Sequence, residues 1–305
     1  MTYPWKLYFI LVVGLVLTPA LRGIASVGAP SGSENQYLAQ TAIPEQPQRR
    51  GGSTIPPRGD TNTLIPYIIS PRNTLLLTDK PVLRWNASPG ATSYLVSVKT
   101  DQGELIWETQ VETTEVVYPG EPALKSGVNY LVTVSADNDR SSEEEEEEVS
   151  ELQFRLLDEA ERLPVQTEIE QLETQGLAGT EKALALSKVY IKHNLKAEAI
   201  DTLEELLAGG TQQTDVYHSL GEQYMGIGLL LKAESSLLKA VELATASSDR
   251  EQEAVLKAEL GGISAELGKN KEAVRWLTEA HNSYKAMGNM ERAKELEEQL
   301  KAINL

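Results

Sequence analysis

Along residues 64–137, apolar and polar positions alternate in short runs; further on, the alternation gives way to a period of three to four residues. In the first block, YLVSVKT places Tyr94, Val96 and Val98 on one face and Leu95, Ser97 and Lys99 on the other, as the period of a β-strand requires. NYLVTVSAD does the same with Tyr130, Val132 and Val134, and ELIWETQV predicts another strand entered through a turn at Asp101-Gln102-Gly103. Pro, Gly, Asp and Asn separate these runs, so the block predicts an antiparallel β-sandwich rather than a parallel sheet. From Pro164 onward the apolar positions Val165, Ile169 and Leu172 mark one face of a helix.

The helical half repeats itself. Tyr217, Leu220, Gly221, Tyr224, Ala233 and Leu237 follow the spacing W-x2-L-G-x2-Y…A-x3-large, with Tyr in place of the first Trp. A period of 34 residues earlier stand Ala183, Leu186, Ser187, Tyr190, Ala199 and Leu203. The phase resumes 40 residues after the central unit with Leu260, Gly261, Ala273, Leu277 and Ala280, Ser264 replacing the Tyr. The excess falls at ATASSDREQ, which predicts a longer connection there. A last half-unit with Tyr284 and Ala293 reads as a capping helix with a polar face. Residues 164–305 therefore resemble a tetratricopeptide repeat (TPR) array, an α-helical solenoid. Gly226-Ile227-Gly228 becomes the turn between the two helices of the central repeat. It is not a dinucleotide loop, since no strand leads into it and Leu231 takes the place of the third glycine.

The β block has a resemblance of its own. RWNASPGATSYLVSV followed by LKSGVNYLVTVSA is similar to a fibronectin type III (FnIII) or related immunoglobulin-like (Ig-like) domain. Trp85 stands where that fold buries its early-strand Trp, and Leu124, Gly127 and Tyr130 form its L-x-x-G-x-x-Y. The fold class expected is thus an N-terminal FnIII/Ig-like antiparallel β-sandwich followed by an α-helical TPR solenoid. The expected domains are a leader over 1–25, a tether over 26–64, the sandwich over 65–157 and the repeats over 158–305. The short connection around Leu157 to Leu163 lacks the Gly and Ser of a loose linker, which implies limited freedom between sandwich and solenoid.

The first residues change the expected location. Lys6 precedes an apolar stretch from Leu7 to Leu17, and small residues follow at Ala20 and Ala25. Pro19 and Arg22 interrupt before the roughly 20 apolar residues a spanning helix needs, so a secretory signal peptide is favoured over an uncleaved anchor. After cleavage no direct membrane insertion is expected. The chain has no cysteine, hence neither a lipoprotein anchor nor a disulfide, and periplasm or extracellular space of a bacterial envelope fits best. The Pro-, Gly-, Ser- and Gln-rich residues 30–63 bury too little apolar area to fold and read as the tether, in which Arg58-Gly59-Asp60 is a chance Arg-Gly-Asp.

A hydrophobic fraction of 41% excludes disorder throughout, and a formal charge of −17 argues against nucleic acid and anionic lipid as partners. Glu143 to Glu148 form a run of six like charges. It reads as a solvated hairpin tip, with weak Ca²⁺ capture as the alternative that lacks the Asp, Asn and Gly of a preformed site.

Catalytic residues, cofactors and metal ligands are not expected. The three histidines, His193, His218 and His281, form no i, i+4 His pair, and no cysteine completes a zinc site. No G-x-S-x-G is present, and carboxylates on amphipathic helices are ordinarily solvated. The resemblance to TPR arrays implies instead that a protein or peptide partner binds the concave face lined by first helices. The residues this implies are Lys188 and Lys192 in one unit and His218, Glu222 and Met225 in the next. His218 and Glu222 stand at carboxylate-clamp positions, so a chaperone's acidic tail is not the expected ligand. The alternative function is a carbohydrate- or cell-wall-binding module that uses Trp107 or another exposed aromatic residue, with the array as spacer. If Ala233 is the small residue of a repeat, Ala233→Leu should cost roughly 1–3 kcal/mol by overpacking, and an unchanged thermal midpoint would contradict the repeat.

Overall fold

The structure, a computed structural model, describes residues 59–303 except residue 146. The expected leader and most of the expected tether lie outside the described residues, and so does any reading of Glu146. Among the described residues no helix is long and apolar enough to cross a membrane.

The β-rich region holds β1 (Ile68–Ser70), β2 (Thr74–Leu76), β3 (Val82–Trp85), β4 (Tyr94–Thr100), β5 (Leu105–Val111), β6 (Glu115–Val117), β7 (Asn129–Ala136) and β8 (Phe154–Leu156). Strands β1-β3-β6 form one sheet, and β2-β8-β7-β4-β5 form the other. The register pairs Val96 with Thr109 on one side and with Val134 on the other. Tyr94, Val96 and Val98 point inward as their alternation predicts, while Leu95 is 41% exposed. Both sheets feed one apolar cluster, in which Ile68, Leu83 and Trp85 meet Val96, Val132, Val134 and Phe154. One pairing departs from the antiparallel expectation: β2 runs parallel to β8. The chain leaves β1 at Ser70, passes through Pro71-Arg72-Asn73, and enters the other sheet as β2.

The helical region follows, with α1 (Val149–Leu152) placed just before β8 and then α2 (Glu159–Glu173), α3 (Gly179–Lys192), α4 (Lys196–Ala208), α5 (Thr214–Gly226), α6 (Leu230–Ser247), α7 (Arg250–Glu266), α8 (Asn270–Ala286) and α9 (Met290–Ile303). Pairs α3/α4, α5/α6 and α7/α8 correspond to the three repeats, and the signature residues do the packing. A Cβ on Gly221 would lie 2.7 Å from Leu237 Cδ2, and one on Gly261 would lie 2.5 Å from Leu277 Cδ2, so only glycine lets each pair close this far. Ala199, Ala233 and Ala273 are fully buried on the facing helices. In the first pair Ser187 replaces the glycine and satisfies its hydroxyl by donating to Leu184 O at 2.9 Å.

Two sequence expectations about connections change. The extra residues between the second and third pairs lengthen α6 and α7, leaving only Ser248 and Asp249 between them. Ser248 adopts the left-handed conformation that ends α6, and the Asp249 carboxylate accepts from Gln252 N–H to start α7. The expected connection at 157–163 is mostly helix. Asp158 caps α2 with Glu161 in a reciprocal capping box, so only Leu157 and Asp158 separate β8 from the helix.

The two regions share a dense polar seam. Strand β2 abuts the α3–α4 turn: Leu75 N–H donates to Asn194 O at 2.9 Å, and Ala197 N–H to Thr74 Oγ1 at 3.2 Å. Leu77 N–H donates to Glu198 Oε1 at 2.6 Å, and Arg162 Nη1 to Leu77 O at 2.7 Å. Arg84 of β3 reaches Asp201 at 2.6 Å and also binds Glu204, both on α4. The apolar sets interlock as well, since Ile65 and Tyr67 pack in the helical core and Ala197 packs in the β core.

Arg72 is the centre of this seam. Its side chain is 0% exposed, and its Nε donates to Ile227 O at 2.6 Å, in the Gly226-Ile227-Gly228 turn. Nη1 donates to Ile68 O at 3.3 Å and pairs with Glu145, while Glu147 Oε1 lies 3.6 Å from Nη2. Gly228, at φ +77°, keeps the turn open, because a Cβ there would meet Glu147 Oε1 at 3.3 Å and Arg72 Nη2 at 3.4 Å. Lys196 Nζ donates to Gly226 O at 3.0 Å, so two cations sit at the negative end of the α5 dipole.

These contacts correct the reading of the glutamate run as a wholly solvated tip. Glu145 is 1% exposed and neutralises Arg72, whereas Glu143 and Glu144 stay outside and pair with Lys99 and Arg140. Asp60 is also displaced from its expected place in the tether. It is buried, and its carboxylate accepts from Leu231 N–H at 3.0 Å and Lys232 N–H at 2.7 Å, capping α6.

Two predictions follow from the seam. Arg72→Met should lower unfolding free energy by about 3–5 kcal/mol, because Glu145 is then left as an uncompensated buried charge; a loss under about 1 kcal/mol in urea titrations would contradict this. Burial pushes the Glu198 carboxyl up to about 7, against the partly compensating bond from Leu77 N–H. Its folded-state value lies above its unfolded value, so its stabilising contribution is full below pH 4.5 and is lost as pH rises through about 7. Wild type should therefore lose about 3 kcal/mol more than Glu198→Gln between roughly pH 4.5 and pH 8, and parallel pH–stability curves would refute this.

Candidate functional site

The first helices of the repeats carry the expected site residues. On α5, Leu220, Gly221 and Tyr224 turn inward, which leaves His218 and Glu222 one turn apart on the polar flank. On α7, Leu256, Leu260 and Gly261 turn inward and Glu259 flanks them in the same way. The stacking of α5 and α7 brings the two flanks together. His218 Nε2 lies 2.9 Å from Glu259 Oε2, 3.1 Å from Glu259 Oε1 and 3.9 Å from Glu222 Oε1. A second bridge runs between the same helices, Gln252 Nε2 donating to Asp215 Oδ1 at 2.7 Å.

All three side chains of the group are half-buried, with exposures of 20% for His218, 38% for Glu222 and 18% for Glu259. Burial acts to lower the His218 pKa, but the hydrogen bond and charge of Glu259 outweigh it and the value is raised. Burial raises the Glu222 carboxyl, with His218 pulling the other way. One nitrogen and two carboxylate oxygens thus converge with all three donor atoms within 4.8 Å of one another, a set able to hold a divalent cation.

The five expected residues do not form one site. His218 and Glu222 come together. Lys188 is exposed on α3, while Lys192 turns to α2, its Nζ 2.8 Å from Glu168 Oε1, which also lies 3.0 Å from His193 Nε2. Met225 is half-buried and packs against the helical core. Glu259 was not among the expected residues. The signal available for it was its place immediately before Leu260-Gly261, matching Ser219 before Leu220-Gly221, but sequence spacing could not show that it would face His218. The search for paired histidines and cysteines passes over this set because two of its donors are carboxylates and one comes from another helix.

No protein-family model matches the chain, and no curated protein matches it. Among solved structures it is similar to one described as the crystal structure of MamA, at 18% identity over 45% of this chain and 84% of that one, with a TM-score of 0.33. It is similar to the TPR-like repeats of a putative kinesin light chain from Podosopora anserina, at 21% identity over 46% of this chain and 87% of that one, with a TM-score of 0.34. A third is BtubC (BKLC) from P. vanneervenii, at 18% identity over 48% of this chain and 65% of that one, with a TM-score of 0.40. Each likeness spans under half of this chain. The helical region resembles a TPR solenoid and closes its pairs at Gly221, Gly261 and their partner leucines; a β-rich region of two sheets is joined to it.

Proposed function

We propose that this chain is an exported, non-enzymatic protein-interaction scaffold of a bacterial envelope, holding a protein or peptide partner on the face of its TPR-like array lined by first helices. The observation that carries the reading is the cross-helix row on α5 and α7. Asp215 with Gln252, and His218 with Glu222 and Glu259, set polar groups in fixed positions on rigid repeats. Rigid helices of this kind present a surface whose ordering entropy is already met before a partner arrives. Export rests on the apolar leader pattern and the lack of cysteine.

The β-rich region is read as FnIII/Ig-like on three supports. Trp85 is buried edge-on against Tyr94 at 5.6 Å, the Tyr130 hydroxyl accepts from Lys125 N–H at 2.8 Å inside the L-x-x-G-x-x-Y, and the strands divide three and five between two sheets. The carbohydrate reading depended on an exposed aromatic platform. Trp107 is half-buried and meets Tyr118 edge-on at 5.4 Å, so its ring serves packing and the protein reading is preferred.

The test uses the full chain, immobilised and exposed to envelope extracts. A protein retained by wild type, lost on Glu222→Lys and kept on Trp107→Phe supports the scaffold. Retention of glycan that depends on Trp107, with no protein sensitive to Glu222, would replace it with the carbohydrate function.

A further inference from the structure

We infer that His218, Glu222 and Glu259 form a divalent transition-metal site that ties α5 to α7, with Zn²⁺ as the cation its donors suit. A tetrahedral Zn²⁺ with bonds of about 2.0–2.1 Å sets its ligand atoms roughly 3.3 Å apart. Here Nε2 lies 2.9 Å from one carboxylate and 3.9 Å from the other, and all three donor atoms fall within 4.8 Å, so the separations bracket that edge. Small side-chain rotations, without helix movement, close the set around a cation.

The donor types narrow the metal. An imidazole nitrogen disfavours Ca²⁺ and Mg²⁺, which take oxygen, while Zn²⁺ accepts both imidazole nitrogen and carboxylate oxygen. Three protein donors leave the fourth position to water, the pattern of an open rather than a closed site. The scaffold also favours binding, since His218 and Glu222 lie one turn apart on one helix and Glu259 is held opposite by the packing of Leu260 and Gly261. As it stands, the imidazole bridges to Glu259 by a hydrogen bond; a cation would take the place of that proton between the same atoms. The cation would share His218, Glu222 and Glu259 with the proposed partner-binding face, but its titration needs no protein ligand, so either proposal can fail while the other stands.

The test titrates ZnCl2 into the full chain against a competing chromophoric chelator at neutral pH. One saturable Zn²⁺ per chain is expected, undisturbed by excess Mg²⁺ or Ca²⁺ and accompanied by a rise in thermal midpoint. His218→Gln and Glu259→Gln should each weaken binding roughly tenfold or more, while His193→Gln, at the other His–Glu pair, should leave it unchanged. Glu222→Gln, at the most exposed of the three, gives a folded readout should the His218 or Glu259 variant lose structure, and it should also weaken binding. Absence of saturable binding, or equal binding by wild type and the Glu222 variant, would overturn the site and leave a simple ion pair between repeats.

Discussion

A guanidinium with no access to water must be neutralised where it sits, and Arg72 meets this demand by drawing three parts of the chain to one point. The Glu145 carboxylate comes from the glutamate run, the Ile68 carbonyl from the first strand, and the Ile227 carbonyl from the turn between α5 and α6. None of these partners can withdraw without leaving a buried charge behind, a cost of several kcal/mol. The orientation of the β-rich region on the repeats depends on that constraint. Arg84, only partly buried, adds ion pairs to Asp201 and Glu204 on α4 one hairpin earlier.

Buried ion pairs of this kind contribute more to geometry than to net stability, because desolvation offsets most of their attraction. The apolar share of the seam, with Ile65 and Tyr67 on one side and Ala197 on the other, supplies area without direction. The charges and the Leu75 to Asn194 backbone bond supply the direction. Together they make the β-rich region a fixed shoulder on the hairpin turns of the first two repeats. The polar row then lies on α5 and α7, each held close to its own second helix at Gly221 or Gly261.

The repeat was legible in the residues because its physics is local and periodic. A small residue where helices meet, a leucine to fill the gap and a period of 34 residues recur whatever lies outside the repeat. The alternation of Tyr94, Val96 and Val98 was legible for the same reason, one face being apolar. Two of the three candidate-site residues were readable too, since His218 and Glu222 lie one turn apart on a single helix. Glu259 was not, because its meeting with His218 depends on how α7 stacks on α5.

Composition misled at the glutamate run and at Asp60. Six like charges in sequence repel and read as solvent-facing, and an Arg-Gly-Asp in a Pro- and Gly-rich stretch reads as tether. Both readings weigh a residue against its neighbours in the chain, whereas burial depends on neighbours in space. Glu145 is buried because Arg72, distant in sequence, needs a counter-charge; Asp60 is buried because the unpaired N–H groups at the start of α6 need an acceptor. Periodicity along the chain was enough to specify strands β4, β5 and β7 and the helical repeat. Which polar groups pair across the seam and between α5 and α7 was settled by folding, because charge and hydrogen-bond partners are chosen by distance in three dimensions.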